Sequence, residues 1–426
     1  MTQQIKPPQT QRANPEGDVA RRPSAPVRRS RVGTKLLLLA GSLVFVFALV
    51  EIAFRVFIPV TDAPLNVWDP VVGPRRFPNQ SGQYLLGDHL HGRYRFNAQG
   101  WNHPRDYTMT RPAGTRRVCM VGDSYVEALQ VDVNDAMFCV AESTLNAADV
   151  KSEWYAFANS GWGTSHEYQL VRHYVLDYQP NLVILFFVQN DPFDSSPYLR
   201  PIAASEPRFW LDDDGRLQQM PIGYWEPGAL RRFSANFALV RYFVLQKAIL
   251  GKFGRGSGAP GGFALREEMA GASNAFVPGL EKLDVRARQA KTWELIAALL
   301  ASMRDQCRAR GAQFAVAYRG DITVIDDAIG GVPRWPAKDI PPKDEDPWCL
   351  ETRYRRMGAE QVGPICERLD IPYLDLTKPL QDAVARTKNS HCFPDNDHFS
   401  TAGHEAAGKA LAAWAEQLLA ATPEAR

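Results

Sequence analysis

The stretch Val118-Cys119-Met120-Val121-Gly122-Asp123-Ser124-Tyr125 decides the fold of this chain of 426 residues. Four consecutive apolar residues end abruptly at Gly-Asp-Ser, which is typical of a buried parallel strand that delivers a hydroxyl group at its carboxyl end. Open α/β sheets place their binding sites at that end of the strands. The sequence therefore predicts that Ser124 is a nucleophile at the edge of a parallel sheet.

A serine hydroxyl is a weak nucleophile until a histidine takes its proton, and that histidine needs an acceptor to orient it. The loop that begins at Pro394 contains such a pair, because Asp395 and His398 are three residues apart. Asp397 is an alternative to Asp395, but it is adjacent to the histidine and would require the chain to double back. His404 is an alternative to His398, but it falls inside the predicted last helix. We predict Asp395 and His398 as the catalytic partners.

Two further segments follow predicted strands and contain groups that bind an oxyanion. Gly161 ends the segment Asn159-Ser160-Gly161, and a glycine lets the backbone approach a substrate oxygen closely, although a plain turn uses the same residues. Asn190 follows a long apolar strand and carries a side-chain amide, although a loop with an Asx turn is the alternative. We predict an oxyanion hole made of the N–H groups of Ser124 and Gly161 and the amide of Asn190.

In their order along the chain, these segments resemble the four blocks of the SGNH (GDSL-type) hydrolase family. The family carries a Ser in Gly-Asp-Ser, a Gly, an Asn in Gly-x-Asn-Asp and an Asp-x-x-His. The matching positions are Ser124, Gly161, Asn190, and Asp395 with His398. One departure is Val188, which stands where the family has the glycine of its third block. The resemblance covers roughly residues 115 to 415 without a long middle insertion, and four ordered blocks are more specific than any one of them.

The segment Asn97-Ala98-Gln99-Gly100-Trp101-Asn102 resembles the lead-in of a membrane-anchored branch of this family. Proteins of that branch add or remove acetyl groups on bacterial envelope polysaccharides. The resemblance implies an O-acetyl esterase that acts on O-acyl groups of an envelope polysaccharide or exopolysaccharide. No residue decides whether water or a sugar hydroxyl accepts the acyl group, so an O-acetyltransferase with the same triad is an alternative. Two further alternatives are a lipid ester as the substrate and a catalytically silent glycan-binding or assembly module.

The N-terminal part of the chain predicts a membrane anchor. Residues 1–35 form a basic tail without apolar periodicity, which we expect to be disordered. Residues 36–58 form an apolar run of the ~20 residues that a bilayer requires, if Glu51 and Arg55, four residues apart, pair on one helical face or extend their charged ends into the interface. The positive-inside rule then places the N terminus in the cytoplasm and the catalytic domain outside the inner membrane. A cleaved signal peptide and a buried core helix are alternatives, but no convincing cleavage site follows, and a core helix needs no flanking basic residues.

The charge and composition of the rest of the chain exclude some functions. Beyond residue 35 there are 41 basic and 45 acidic residues, and this balance argues against nucleic-acid binding. We predict no cofactor and no metal, since His89 and His91 lack closely spaced third and fourth ligands and turn chemistry explains the acidic run at 212–214. Six cysteines do not make a disulfide scaffold, and Cys349 and Cys392 are the first candidates for a pair because both fall in predicted loops.

Strands and helices alternate over most of residues 115–426, as in a parallel sheet covered on both faces. After the strand at 118–121, we expect strands at 153–158, 181–188, 313–318 and 371–376. We expect helices at 125–146, with an interruption around 132–135, and at 166–179, 284–311, 352–369 and 401–421. This rhythm predicts an α/β fold, a three-layer α/β/α domain with a flavodoxin-like parallel sheet.

Two other regions depart from that alternation. Residues 59–114 predict an extracytoplasmic lead-in with short edge strands near 84–86 and 93–96. The stretch at about 192–280 predicts an insertion with a hairpin over 209–217 and a helix over 230–250. The apolar side of that helix either packs on the parent domain or lies on a membrane. An insertion beside the third block is where we expect a lid or a substrate-shaping element.

Overall fold

The computed structural model describes residues 31–421, apart from 63, 87–89, 227, 229–232, 234, 247–272, 326, 331–356 and 394–397. The chain divides after Ile52 into two compact units. The first unit contains most of helix α1 (Arg31–Phe57), and the second contains the sheets and the remaining helices.

Helix α1 is long and apolar enough to cross a membrane. Within Val32–Phe57, an 18-residue window has a mean hydropathy of 2.6, and the apolar side chains of the helix are almost all exposed. At a rise of about 1.5 Å per residue the stretch is roughly 39 Å long, which exceeds the ~30 Å hydrocarbon core of a bilayer. Since core helices bury their apolar side chains, the composition and exposure of α1 fit a membrane anchor or a signal sequence.

The described residues contain eleven β-strands. They are β1 (Asn66–Asp69), β2 (Gly73–Arg76), β3 (Gln80–Leu86), β4 (Leu90–Phe96), β5 (Arg116–Gly122), β6 (Ser152–Ala158), β7 (Leu182–Phe187), β8 (Arg208–Leu211), β9 (Leu217–Met220), β10 (Gln313–Tyr318) and β11 (Tyr373–Asp375). Five of them form one parallel sheet in the order β6-β5-β7-β10-β11. The others form the antiparallel pairs β1–β2, β3–β4 and β8–β9.

The same part of the chain contains ten α-helices after α1. They are α2 (Ser124–Glu127), α3 (Met137–Ala147), α4 (Thr164–His173), α5 (Asp191–Ser195), α6 (Ala238–Val240), α7 (Val285–Ala309), α8 (Ile322–Ile325), α9 (Gly363–Arg368), α10 (Thr377–Thr387) and α11 (Thr401–Ala420). Short 3-10 helices occupy Val133–Asp135, Val175–Tyr178, Leu280–Lys282 and Asp327–Ile329, and π-helices occupy Arg241–Gln246 and Gly358–Val362.

The central strand β5 has a core on each of its faces, because successive side chains of a strand point in opposite directions. Cys119 and Val121 belong to the apolar cluster that includes α4 and α7, whereas Val118 and Met120 belong to the cluster that includes α3 and α11. The predicted three-layer α/β/α fold with a parallel sheet is confirmed.

The strand order places a crevice at the end of β5. The chain runs from β5 to β6 on one side and then crosses to β7 on the other side. Parallel α/β sheets bind ligands where the direction of winding changes in this way, outside the carboxyl ends of the strands. Because β5 ends at Gly122, Ser124 lies at this switch point.

Several elements differ from the predicted ones. The interruption predicted at 132–135 in the helix over 125–146 is present but begins earlier, because Ala128 adopts a left-handed backbone with φ of 54° and ends α2 after one turn. Of the helix predicted over 230–250 in the insertion, Phe233 and residues 238–246 are helical and 235–237 are not, whereas 230–232, 234 and 247–250 lie outside the described residues. The edge strands of the lead-in are longer than predicted and form the β3–β4 hairpin, and the β8–β9 hairpin was predicted correctly in place. Helix α10 was not predicted.

Cys392 is buried, and Cys349, its suggested partner, lies outside the described residues, so this pair stays a prediction. Cys119, Cys139, Cys307 and Cys366 are free thiols, three of them buried and Cys139 partly buried.

Candidate active site

Ser124 is held at the junction of β5 and α2. A Cβ atom on Gly122 would lie 2.5 Å from Cγ2 of Val126, so the glycine allows the strand to turn into the helix within one residue. The Asp123 carboxylate accepts a hydrogen bond of 3.0 Å from the N–H of Tyr125 and caps the helix. The flanking residues Asp123 and Tyr125 are buried, whereas Ser124 is half-buried and presents its hydroxyl group at the edge of the sheet.

His398 lies against Ser124. Its Nε2 is 2.7 Å from the Ser124 Oγ, a hydrogen-bonding distance that suits proton transfer from the hydroxyl group. The His398 carbonyl accepts a hydrogen bond of 3.1 Å from the N–H of Phe393, which helps to fix the loop. Asp395 and Asp397 lie outside the described residues, so the role of Asp395 stays a prediction.

The competing histidine, His404, has a different environment. It is buried in α11, and its Nδ1 accepts a hydrogen bond of 3.3 Å from the N–H of Met137. Burial, assisted by the nearby charge of His398, lowers the pKa of His404 to about 3. His404 is therefore a neutral structural residue, and His398 is the histidine that contacts the serine.

Gly161 lies in an exposed turn with a left-handed backbone, φ of 82°, which favours glycine. The preceding residue, Ser160, donates hydrogen bonds from its N–H and its hydroxyl group to Glu127. Within the described part of the chain, neither the N–H of Gly161 nor that of Ser124 donates to a protein acceptor. Both donors therefore remain available to a substrate oxygen.

Asn190 comes directly before α5 and reaches the residue next to the nucleophile. Its Nδ2 donates to Asp194 at 2.8 Å and to Asp123 at 3.3 Å. The same Asp123 oxygen lies 3.4 Å from the Ser124 Oγ. A substrate oxyanion that accepts a hydrogen bond from the Asn190 amide would therefore take the place of Asp123, the more distant of the two present acceptors. Val188, where the family has glycine, is not among the residues with positive φ, so its side chain is compatible with this turn.

Three carboxyl groups are buried behind these residues. Burial raises the pKa of Asp123 to about 7, while hydrogen bonds from Tyr125 and Asn190 act in the opposite direction. Burial, followed by the negative charges of the neighbouring carboxyl groups, also raises the pKa of Glu167 and of Asp191 well above the usual range. These groups therefore keep protons at pH values where exposed carboxyl groups have lost them.

Two residues that the sequence did not indicate support His398. The Tyr125 ring stacks on the His398 ring, with centroids 4.8 Å apart and planes 22° apart. Arg319, fully buried after β10, donates a hydrogen bond to the Tyr125 hydroxyl, and its guanidinium carbon lies 5.1 Å from the centre of the Tyr125 ring. In the sequence, a single arginine after a strand does not indicate this supporting role, because its partner Tyr125 is 194 residues away.

The lead-in segment contacts the site through a third missed residue, Glu127. The Asn97 side chain accepts hydrogen bonds from the N–H groups of Gln99 and Trp101, and these two bonds close the turn over residues 97–101. Asn102 then donates to the Glu127 carbonyl at 2.6 Å. The lead-in thus packs on the helix that carries Ser124.

Together these groups can carry out acyl transfer. A serine hydroxyl with a histidine at 2.7 Å can attack an ester carbonyl, and nearby N–H donors can stabilise the resulting oxyanion. The predicted Ser124, Gly161, Asn190 and His398 all lie at the carboxyl ends of β5, β6 and β7 or in the loop before α11.

No family model matches the sequence, and no curated protein is significantly similar to it. Among solved structures, the chain is similar to a psychrotrophic esterase from Pseudoalteromonas sp., with 10% identity and a TM-score of 0.34 over 72% of this chain and 99% of the other. An acetyl xylan esterase matches 70% of this chain and 98% of its own length, with 8% identity and a TM-score of 0.34. A GDSL-like lipase from Bacteroides thetaiotaomicron matches 72% and 88%, with 11% identity and a TM-score of 0.30.

Proposed function

We propose that this chain is a serine ester hydrolase of the SGNH type that forms an acyl-enzyme on Ser124. The observation that carries the proposal is the 2.7 Å distance between the Ser124 Oγ and the His398 Nε2 at the switch point of the sheet. The order of the four sequence blocks supports the same assignment, because each block supplies the residue that the mechanism requires at its place.

In the first half-reaction, His398 takes the hydroxyl proton while Ser124 attacks the carbonyl carbon of the ester. The N–H groups of Ser124 and Gly161 and the Asn190 amide stabilise the oxyanion. His398 then gives the proton to the leaving alcohol, and the acyl group remains on the serine. In the second half-reaction, water attacks the acyl carbon while His398 takes its proton. The bond from the acyl carbon to the Ser124 Oγ then breaks, His398 returns the proton to Ser124, and the free acid leaves. We assign Asp395 to orient the second nitrogen of His398.

We further propose that the enzyme is anchored in the inner membrane by α1 and acts outside the cytoplasm. The eight basic residues within positions 1–35, which precede the apolar stretch or lie at its start, support an N terminus on the cytoplasmic side. The resemblance of the lead-in and the extracytoplasmic location together favour O-acyl groups of an envelope polysaccharide or exopolysaccharide as the substrate.

The test is hydrolysis of a short-chain activated acyl ester by the full chain in detergent, with mass spectrometry after treatment with a fluorophosphonate. We expect a covalent adduct on Ser124 and loss of both activity and adduct in Ser124→Ala. Ser143→Ala is the matched control, because Ser143 is an exposed serine on α3 and its loss should change neither. Wild-type protein without activity and without an adduct would leave the silent glycan-binding module as the better assignment.

Hydrolysis and acyl transfer differ only in the acceptor of the second half-reaction. Supplying an acetyl ester together with a neutral oligosaccharide distinguishes them by product. Free acetate supports the hydrolase, and an O-acetylated oligosaccharide that requires Ser124 supports the acetyltransferase.

A further inference from the structure

The residues at the end of α1 pack against the helical part of the insertion. The Phe54 ring lies 5.3 Å from the Tyr242 ring and 5.9 Å from the Phe243 ring, measured between centroids. The Arg55 guanidinium donates a hydrogen bond of 2.5 Å to the carbonyl of Asn236. Two segments that are about 180 residues apart in the sequence therefore meet where the apolar helix ends.

Polar contacts continue this association beyond the helix. The Arg241 Nε donates to the Thr61 carbonyl at 2.9 Å, and the Thr61 N–H donates to the Gln246 side chain at 3.0 Å. Arg241 also forms an ion pair of 3.5 Å with Asp62. Because these contacts join side chains and backbone from both segments, the position of residues 235–246 is tied to the end of α1.

The packing leaves large apolar side chains exposed on both segments. Val56 and Phe57 are 64% and 79% exposed, and Phe233 and Phe243 are 64% and 41% exposed. We call these four residues the helix-end patch. Phe233 is joined to the insertion by a ring contact of 5.0 Å with Phe237. Exposed apolar side chains grouped in this way, and not scattered singly, mark a surface that meets an apolar partner.

Among the described residues, two cationic groups near the patch are engaged within the unit. Arg55 donates to the Asn236 carbonyl, and Arg241 contacts Thr61 and Asp62. The side chains of the patch itself are apolar and aromatic.

We infer that the helix-end patch inserts into the interfacial region of the lipid bilayer, with Phe233 and Phe243 of the insertion beside the end of α1. The inference rests on the proposed membrane anchoring. Val56 and Phe57 are the last residues of the apolar stretch Val32–Phe57, so a bilayer that surrounds this stretch reaches them. The contacts between Phe54 and the insertion then bring its exposed aromatic side chains to the same boundary. Apolar faces of interfacial segments bury about 5–10 Å into the boundary of head groups and acyl chains.

The test uses the full chain reconstituted in vesicles of phosphatidylethanolamine and phosphatidylglycerol that contain a phosphatidylcholine with a diazirine on one acyl chain. After illumination, mass spectrometry maps the lipid adducts to peptides. We expect adducts on residues 36–57 and also on residues 233–246. The double variant Phe233→Ser with Phe243→Ser should give at least about fivefold fewer adducts on residues 233–246. In the wild type, these two aromatic side chains supply most of the apolar contact that the segment makes with lipid.

Phe77→Ser is the matched control, because Phe77 is 51% exposed outside the patch and its loss should leave the adducts unchanged. Ester hydrolysis by each variant checks that it is folded. Adducts on residues 36–57 with none on 233–246 would overturn the inference and leave the anchor intact. A patch that binds a second copy of the chain would give that adduct pattern and a change of oligomeric state in the double variant. Absence of adducts from residues 36–57 would contradict the anchor itself.

Discussion

Arg76 and Glu127 form an ion pair with two contacts, 2.6 Å from Nε to Oε1 and 3.1 Å from Nη2 to Oε2. The Glu127 side chain is fully buried, and it also accepts hydrogen bonds from the N–H and the hydroxyl group of Ser160. Since Gly161 follows Ser160, this carboxylate links the lead-in strand β2 to the turn for which we propose an oxyanion donor. The lead-in therefore supports the geometry of the site.

We expect Arg76→Ala to lower the stability of the protein by about 3–5 kcal/mol, because it leaves the buried Glu127 carboxylate without its cation. The turn at Gly161 should also shift, and kcat should fall. Chemical denaturation and ester hydrolysis measure the two effects. Arg95→Ala is the control, since the Arg95–Asp106 pair is about half exposed and such pairs contribute less than about 1 kcal/mol. Equal stability losses in the two variants would contradict the supporting role.

The parts of the fold that depend on local pattern were predictable from the sequence. The strands β5, β6, β7 and β10 are continuous apolar runs, and their alternation with helices specifies a parallel sheet. Helix α10 was missed although Leu380 and Val384 have the spacing of a buried helix face. Its short length and the proline at position 379 weaken the pattern.

The support of the site was not predictable, because it depends on pairs that only the tertiary fold brings together. Glu127 meets an arginine 51 residues away, and Arg319 meets Tyr125 across 194 residues. A buried charge looks like a surface charge in the sequence until its partner is known. Ser124 and His398 are even farther apart, by 274 residues, but each lies in a motif whose chemistry can be recognised locally.

Tyr125 should affect catalysis through its ring and stability through its hydroxyl group. Tyr125→Phe keeps the stacking on His398 but removes the acceptor of the Arg319 hydrogen bond, so we expect a loss of about 1–3 kcal/mol in stability with kcat nearly unchanged. Tyr125→Leu also removes the stacking, so His398 should be less well positioned and kcat should fall further. Comparing kcat with KM for both variants tests this difference. A kcat in Tyr125→Leu equal to that in Tyr125→Phe would show that the ring does not position His398.

The buried Glu167 should make the protein less stable as the pH rises. Burial raises the pKa of Glu167 in the folded state, so the folded protein holds a proton that the unfolded chain releases above about pH 4.3. The contribution of Glu167 to stability is complete below that pH. As the pH rises toward the pKa of the folded state, the free energy of unfolding falls by about 1.4 kcal/mol per pH unit.

Glu167→Gln removes this titration and keeps the shape of the side chain. We therefore expect the variant to gain stability relative to the wild type between pH 5 and pH 8, as measured by thermal unfolding at several pH values. The control is Glu405→Gln, because Glu405 forms an exposed pair with Lys409 and should show no such trend. If the stability of the wild type and that of Glu167→Gln changed with pH in the same way, the pKa of Glu167 would not be raised.

His398 and His404 should separate catalysis from stability. His398→Ala removes the base beside Ser124, so we expect kcat to fall by about 10²–10⁴-fold with little change in unfolding. His404→Leu leaves the buried N–H of Met137 without its acceptor, so we expect a stability loss of about 1–3 kcal/mol with most of the activity kept at low temperature. Because burial lowers the pKa of His404 to about 3, the pH profile of the His404 variant above pH 5 should match that of the wild type. An inactive but fully stable His404→Leu protein would instead assign the base to His404.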